Sequence, residues 1–352
     1  MPPPPQKIIS VNLDLLRALA VLAVFFAHLS DVQHNRSFGS LGRFGVVLFF
    51  VHTSLVLMAS LQRLDRPEES PSALAFAFWV RRFFRIYPLA VLFVVLVPLF
   101  RIPSDPGLPY AWIGLKAFLS NLALTQNLTY STNILSPLWS IPLEVQMYLL
   151  LPFAYFAIRG DRRFRSLALW ALSAVLALTM PRISERLDVF RYAPCFTSGV
   201  VAFDLVRSQR WSWKLPAWTW PVGVLAVVLL FGPHDNIPLP TKIVRAWLCS
   251  LLLAVLFANT HEGRQSWTHR IFHWIADRSF GIYLSHTIIF WFVFNKMAHF
   301  SLCTQIVVLI ASSLGIPALL FVTIEEPLIL TGAHVARRLL RRSIVSQQHQ
   351  PT

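Results

Sequence analysis

Charged residues are scarce in this sequence. Asp, Glu, Lys and Arg make up 13% of the 352 residues, about half of the roughly 25% that is usual in a soluble domain. Hydrophobic residues account for 55% and include 28 Phe and 12 Trp, which is more apolar surface than one soluble core can bury. This composition excludes a disordered chain, a fibrous protein and an ordinary soluble enzyme, and it indicates an integral membrane protein.

Cysteines and acidic residues are also few. The three cysteines, Cys195, Cys249 and Cys303, are far apart in the sequence, so they form neither a disulfide framework nor a metal-binding motif, and we expect no metal site. The 16 acidic residues are outnumbered by 31 Lys and Arg, which gives a net charge of +15. Because the basic residues lie in short clusters between apolar runs, they indicate cytoplasmic loops and contacts with membrane lipids rather than nucleic-acid binding.

The rest of the chain is a series of long apolar runs. Ten of them are long enough, or nearly long enough, to cross a bilayer as helices. They cover approximately residues 9–30, 44–62, 86–104, 138–158, 166–181, 190–206, 216–233, 243–260, 279–297 and 303–327. A further apolar stretch, residues 111–127, is interrupted by one lysine and several amide side chains.

The distribution of basic residues indicates how these segments are oriented. If residues 111–127 do not cross, twenty of the 31 Lys and Arg fall on the side of the N-terminus and ten on the other side, as the positive-inside rule requires. We therefore predict an all-α, polytopic membrane bundle of about ten transmembrane helices with both termini cytoplasmic. Residues 111–127 are predicted to be re-entrant or interfacial on the outer side. Residues 1–335 form the transmembrane domain, and residues 336–352 form a basic cytoplasmic tail.

The first predicted span carries charged residues, which cost at least about 2.5 kcal/mol each at the centre of a membrane helix. Arg17 and His28 are eleven residues apart, so they share one helix face and lie about 16 Å apart along the axis. Asp14 lies one turn before Arg17. One interpretation is that the three residues belong to a functional site. The other is that Asp14 and Arg17 neutralise each other and that His28 simply lies at the outer interface.

A carboxylate occupies the start of the predicted span 138–158. Pro142 suits a first helical turn, and Ser140, Glu144 and Tyr148 share one face. A lone Glu in a first turn is commonly a capping group that the helix dipole favours. Alternatively, Glu144 lies at the same membrane depth as His28 and polarises its imidazole, which would make the two a general acid–base unit.

Arginines precede the predicted span 86–104. Arg82 and Arg85 are three residues apart, and planar guanidinium groups on one helix face can clamp a phosphate. They could equally be ordinary positive-inside anchors. Arg191 and His286 are weaker candidates for substrate binding, because a single His in an apolar helix is usually a packed, hydrogen-bonded residue.

Taken in order, these motifs resemble the acyltransferase 3 family of membrane O-acyltransferases. The segments that carry the resemblance are residues 13–20 with His28, 45–51, 82–88, 138–152, 281–286 and 325–327. The chain departs from the family pattern at Pro142, where the family usually has the serine of a Ser-x-Glu motif, and at Val47, where it usually has an acid.

The resemblance implies a membrane O-acyltransferase of the bacterial inner membrane. It implies acyl-CoA, usually acetyl-CoA, as a cytoplasmic co-substrate bound by Arg82 and Arg85, with Ser140, Arg191 and His286 as further substrate contacts and no permanently bound cofactor. The acceptor would be a hydroxyl of a carbohydrate or lipid-linked sugar. His28 would act as general base or carry the acyl group, Glu144 would orient it, and Arg17 would stabilise negative charge.

Two other classes of protein remain open from the residues alone. A transporter or flippase for a polar lipid or polysaccharide would also use intramembrane Arg, His and Glu, and it predicts inverted repeats, which the sequence does not show. A structural or sensor membrane protein would leave Arg17, His28 and Glu144 unexplained.

Overall fold

The computed structural model describes residues 10–32, 39–67, 69–160, 164–208, 213–231 and 238–348. Within these ranges the chain is helical, and the bridged pair Leu215 and Thr260 belongs to no strand. The thirteen α-helices of the described ranges are α1 (Val11–Val32), α2 (Gly39–Leu64), α3 (Pro71–Leu99), α4 (Leu115–Leu122), α5 (Gln126–Thr129), α6 (Ile141–Ile158), α7 (Arg165–Ile183), α8 (Val189–Ser208), α9 (Thr219–Phe231), α10 (Leu239–Ala258), α11 (Trp267–Trp291), α12 (Leu302–Leu320) and α13 (Glu326–Gln348).

Short turns of other helical types extend or connect these helices. A 3₁₀ turn at Ser136–Trp139 precedes α6, and another at Glu185–Leu187 precedes α8. A π-helical turn follows α11 at Phe292–Lys296, and a second at Phe321–Glu325 joins α12 directly to α13. π-helical turns are rare in proteins, and those that occur are often found at functional sites. The second turn contains Glu325, which makes Glu325 a candidate residue of such a site.

Eight helical segments of the described chain are long and apolar enough to cross a membrane, and they correspond to eight of the predicted spans. They are Val11–Val32, Gly39–Leu64, Pro71–Leu99, Ser136–Ile158, Arg165–Ile183, Glu185–Ser208, Pro240–Ala258 and Leu302–Arg341. The predicted spans 216–233 and 279–297 overlap α9, which has 13 residues, and α11, whose first half carries several charged side chains. The protein is therefore a multi-pass helical membrane protein, while ten crossings and two cytoplasmic termini stay predictions.

The outward-facing side chains of these helices are apolar. On α12, for example, Leu302, Val307, Ile310 and Leu319 are all more than half exposed. A continuous surface of this kind is unfavourable in water and is compatible with lipid hydrocarbon. It supports the assignment of the exposed faces to the membrane.

The ambiguous stretch at residues 111–127 contains the short helix α4 and the first residues of α5. At about 1.5 Å per residue, the eight residues of α4 span about 12 Å, which is far less than the roughly 30 Å of a hydrocarbon core. Asn121 is fully buried, donates to the carbonyls of Ala117 and Thr132, and accepts from the backbone N–H of Ile134. These bonds fold the segment into a compact turn, so the amide that interrupts the apolar run has a structural role.

The helix that carries Arg82 and Arg85 begins earlier than the predicted span at residue 86. Ser70 caps α3 by accepting a hydrogen bond from the backbone N–H of Ala73 at 3.2 Å, and Pro71 occupies the first turn, where its missing N–H has no intrahelical partner to lose. The two arginines therefore lie several turns inside α3 rather than in a loop at its start.

The last predicted span does not end at residue 327. The chain passes from α12 through the π turn into α13, and the backbone N–H of Glu326 bonds to the carbonyl of Phe321, five residues earlier. This wider turn allows the helix to continue past Pro327, which cannot donate to the next α-helical bond. The predicted basic tail, residues 336–352, belongs to α13 as far as Gln348, and residues 349–352 lie outside the described chain.

Close helix packing places the functional helices together. α1 packs against α2 and α11, α3 packs against α13 and α6, and α2 packs against α8. At the α2–α8 contact, a Cβ on Gly199 would lie 2.3 Å from the carbonyl oxygen of Val51 and 2.0 Å from Ser54 Oγ. Only glycine permits this approach of two backbones, and the contact sets the close packing of α2, which lines the cavity, against α8.

Candidate active site

Arg17 is positioned by the contact between α1 and α11. It lies in the second turn of α1, and its Nε donates to Ser279 Oγ at 2.7 Å. Asp14, one turn earlier, instead accepts from His269 and His273 of α11. The structure therefore does not support a self-neutralising Asp14–Arg17 pair, because each residue bonds to α11 rather than to the other.

Arg82 and Arg85 point into the bundle from α3. Arg85 Nη1 lies 3.2 Å from Glu325 Oε2, and the Glu325 side chain is completely buried. Arg82 Nε is buried and has no hydrogen-bond partner among the described residues. Since buried polar groups are nearly always paired, the free donor of Arg82 is available to a bound anion.

Glu144 lies in the first turn of α6, as predicted, but neither it nor Ser140 makes a side-chain cap. Glu144 Oε1 accepts a hydrogen bond from Tyr148 Oη, one turn further along the helix. Ser140 occupies the N-cap position, yet its Oγ is hydrogen-bonded to Tyr283 Oη of α11 at 2.7 Å. Tyr283 donates in turn to the carbonyl of Pro137 at 2.6 Å. These contacts tie the start of α6 to α11.

Arg17, Arg82, Arg85 and Glu144 line one cavity of about 70 Å³ inside the bundle. The residues around it are Arg17, His52, Thr53, Val56, Leu57, Arg82, Arg85, Ile86, Glu144, Tyr148 and Phe280. Three guanidinium groups, one carboxylate and the Glu325 partner of Arg85 give this region one excess positive charge. Because a buried charge without a counter-charge is costly, the cavity is suited to an anionic ligand.

His28 does not line this cavity and belongs to a second polar group. Its ring centroid lies 5.1 Å from that of His286 on α11. The Nδ1 atom of His286 lies 2.8 Å from the carbonyl of Tyr283, and because a carbonyl only accepts, Nδ1 carries the proton. This leaves Nε2 as the unprotonated atom of the neutral ring, and it has no hydrogen-bond partner among the described residues.

The two polar groups are connected through Tyr283. Its ring lies 6.1 Å from the His286 ring, and its hydroxyl bonds Ser140, one turn before Glu144 on α6. The sequence hypothesis placed Glu144 directly against His28, whereas the structure places Tyr148 against Glu144 and His286 against His28. An orienting role of Glu144 on His28 stays a prediction, and any such effect acts across Ser140 and Tyr283.

Arg191 lies apart from both groups. Its Nε lies 2.6 Å from Asp188 Oδ1, three residues earlier at the start of α8. Its carbonyl accepts from Trp247 Nε1 at 2.7 Å. The structure does not bring this residue together with the cavity, so Arg191 has a local structural partner and its predicted role in substrate binding stays a prediction.

Several residues of the site were not singled out by the sequence analysis. Glu325 was assigned to a helix end, although it is buried and paired with Arg85. His52 is buried on α2, and its Nδ1 is unpartnered among the described residues. Ser279 and Tyr283 supply hydrogen bonds from α11. A histidine in the middle of an apolar span was the available signal for His52; the other contacts join residues distant in sequence.

Comparisons with known proteins agree with this architecture. Residues 10–323 match the model of the acyltransferase 3 family, described as an acyltransferase domain. Peptidoglycan O-acetyltransferase OatA of Listeria monocytogenes is 27% identical over 318 residues, which is 78% of this chain and 48% of that protein. Acyltransferase MdmB of Streptomyces mycarofaciens is 30% identical over 245 residues, 64% of this chain and 57% of that protein.

This chain thus spans about half the length of these relatives. A shorter match, 32% identical over 153 residues, covers 40% of the chain and 24% of O-acetyltransferase OatA of Staphylococcus aureus. No solved structure is significantly similar to the chain. Since the family model covers most of the sequence and the helices that build the site, the chain belongs to the acyltransferase 3 family.

Proposed function

We propose that this protein is an O-acetyltransferase that takes an acetyl group from acyl-CoA and transfers it to a hydroxyl of a glycan or lipid-linked sugar in the bacterial inner membrane. The observation that carries this proposal is the convergence of Arg17, Arg82 and Arg85 on one buried cavity that also contains Glu144. Family membership and the O-acetyltransferase relatives support the reaction type.

The arginines fit the donor. Acyl-CoA carries a pyrophosphate and a 3′-phosphate, and guanidinium groups bind phosphate through paired, charge-assisted hydrogen bonds. Arg82 has an unpartnered Nε, and Arg85 is held by one carboxylate that a phosphate could displace. A cavity of about 70 Å³ has room for a phosphate or an acetyl group with a few water molecules, so most of the acyl-CoA would lie outside it.

The histidines fit the acceptor. In the proposed reaction, His28 accepts the proton of the acceptor hydroxyl as its oxygen attacks the thioester carbonyl. The C–S bond then breaks, the acyl group becomes an ester on the acceptor, and the CoA thiolate leaves and takes up a proton. Arg17 lies about 16 Å from His28 along α1, so it would stabilise negative charge on the bound donor rather than contact the oxyanion at His28. His286, 5.1 Å from His28 between ring centroids, would hold the acceptor or assist the proton transfer through its free Nε2.

The acceptor is proposed from the relatives. One of them is named a peptidoglycan O-acetyltransferase, so a hydroxyl of a cell-surface glycan is the acceptor class that we infer for this chain. Under the predicted orientation, α1 runs from the cytoplasm outward. His28 therefore lies about 16 Å beyond Arg17 towards the outer side, where such an acceptor would enter.

Labelled acetyl-CoA tests this function. Membranes that contain the protein should transfer the label to a glycan or small hydroxylated acceptor, and mild alkali should release it as expected for an O-ester. Membranes that contain an equal amount of the His28→Ala variant should not transfer the label. Movement of an unmodified polar lipid or polysaccharide across the membrane, without any covalent label, would contradict the proposal and favour a transporter.

A further inference from the structure

A cluster of two histidines and one carboxylate joins α1 to α11 outside the cavity described above. Asp14 Oδ2 lies 3.0 Å from His269 Nε2 and 2.8 Å from His273 Nδ1. The three ligand atoms all lie within 4.8 Å of one another. The proposed acyl-transfer chemistry makes no use of these side chains.

The cysteine spacing led us to expect no metal site, but we propose from this geometry that Asp14, His269 and His273 bind a divalent transition-metal ion of the zinc class. Two imidazoles and one carboxylate are a common zinc ligand set that leaves the fourth position open to water. His269 and His273 are four residues apart on α11, which places both rings on one helix face. Asp14 supplies the third ligand from the neighbouring helix, so the site exists only where α1 and α11 pack together.

Two of the three ligand pairs already lie close to the spacing that a bound ion requires. With metal–ligand distances of about 2.0–2.2 Å, tetrahedral ligand atoms lie about 3.4 Å apart. The two Asp14–His distances are slightly shorter than this, as expected for hydrogen bonds that a metal would replace. The ion would take the place of the two imidazole N–H protons that now point at Asp14 Oδ2. Each proton would move to the other ring nitrogen or to water, and the carboxylate would neutralise one charge of the ion.

An outer carboxylate supports the same interpretation. His273 Nε2, the ring atom away from Asp14, lies 3.5 Å from Asp277 Oδ2. A carboxylate behind a ligating imidazole fixes the ring and its tautomer in many zinc sites. The His269 side chain is 6% exposed and the His273 side chain 29% exposed, so the site is largely shielded but has an entry path from one side.

The ion would fix helices that carry the proposed active site. Asp14 lies one turn before Arg17, and α11 carries both the Ser279 that bonds Arg17 and the His286 beside His28. A metal ion bound at this end of α1 would prevent α1 and α11 from sliding along each other. The inference nevertheless does not depend on the proposed reaction, because metal binding can be measured without any turnover.

Zinc binding by the purified full-length protein tests the proposal. After treatment with a chelator, zinc is titrated in competition with a chromophoric chelator. We expect one zinc ion per chain, and at least about 100-fold weaker binding in Asp14→Asn and His269→Gln, since even loss of an outer partner costs about 10–100-fold. Asp277→Asn should weaken binding by about 10–100-fold, and His299→Gln, an exposed histidine in a loop, should not change it.

Thermal unfolding gives a second readout that does not depend on competition. Zinc binds only the folded site, so it should raise the Tm of the wild type but not that of Asp14→Asn. If a variant with a substitution at a buried ligand does not fold, the His273→Gln variant is used in its place, because His273 is the more exposed ligand. Equal zinc affinity in the wild type and these variants, or no zinc bound by the wild type, would overturn the proposal and leave an Asp–His hydrogen-bond network only.

Discussion

We predict that replacing Arg85 and Glu325 together raises the KM for acetyl-CoA without unfolding the protein. Arg85 Nη1 lies 3.2 Å from Glu325 Oε2, and the Glu325 side chain is completely buried. Arg85→Ala alone would leave that carboxylate without its partner, at a cost of about 3–5 kcal/mol of stability. The double substitution Arg85→Ala with Glu325→Gln removes both charges, so a change in KM can be assigned to donor binding.

The size of the effect follows from the contact that Arg85 would make. A hydrogen bond to a charged group contributes about 1.5–3 kcal/mol, and each 1.4 kcal/mol is a factor of ten in affinity. The double variant should therefore raise the KM for acetyl-CoA by about 10–150-fold. Glu325→Gln alone should lower it, by up to about tenfold, because the phosphate no longer competes with a carboxylate for Arg85.

The assay is the acetyl-CoA dependence of acetyl transfer in membranes with matched protein abundance and saturating acceptor. Arg186→Ala is the matched control, because Arg186 is an exposed arginine that stacks on Tyr130 away from the cavity. An unchanged KM in both Glu325→Gln and the double variant would refute the reasoning and reduce the Arg85–Glu325 pair to a structural contact.

Three further predictions address the catalytic residue, the topology and the packing. His28→Ala should lower acetyl transfer by about 10²–10⁴-fold while acetyl-CoA binding to the purified protein is retained; near-wild-type turnover would remove His28 from the mechanism. A reporter fused after Arg165 should report the cytoplasm and one after Gln126 the outer compartment, and an outward signal at Arg165 would contradict the orientation. Gly199→Ala should lower the Tm, since overpacking costs about 1–3 kcal/mol or more, whereas Gly315→Ala, which has open space at its Cβ, should not; equal Tm values would contradict the α2–α8 contact.

The sequence alone was sufficient to predict the class of fold. Scarce charge and long apolar runs identify membrane helices, because each span must satisfy its own backbone hydrogen bonds in hydrocarbon. The high cost of intramembrane charge also pointed to Arg17, and the position of Glu144 in the first turn of a span pointed to that carboxylate; both residues line the cavity. Helix periodicity correctly grouped Glu144 with Tyr148, whose hydroxyl bonds its carboxylate.

Partners that come from distant helices could not be predicted. His269 bonds Asp14 across 255 residues, and Ser279 bonds Arg17 across 262 residues. Local periodicity reports which residues share a helix face, but not which other helix packs against that face. For this reason the direct Glu144–His28 contact was a natural hypothesis from matching depth, although the structure interposes Ser140 and Tyr283.

The predicted helix boundaries were wrong where a helix cap or a π turn overrides the hydropathy pattern. The apolar run suggested a start near residue 86, but the Ser70 cap and Pro71 begin α3 much earlier. Pro327 suggested a helix end, but the π turn at Phe321–Glu325 carries the helix past it. Both differences matter for function, because they move Arg82, Arg85 and Glu325 from the membrane boundary into the bundle.

The most direct test of the account is to locate the donor on the protein. A photoreactive acyl-CoA is cross-linked to the purified protein, and the labelled residues are identified by mass spectrometry. We predict labels on the apolar lining of the cavity, such as Val56, Leu57, Ile86 and Phe280, and loss of these labels with excess acetyl-CoA. Labels that avoid the cavity, or that excess acetyl-CoA does not remove, would contradict the assignment of this cavity as the acyl-donor site.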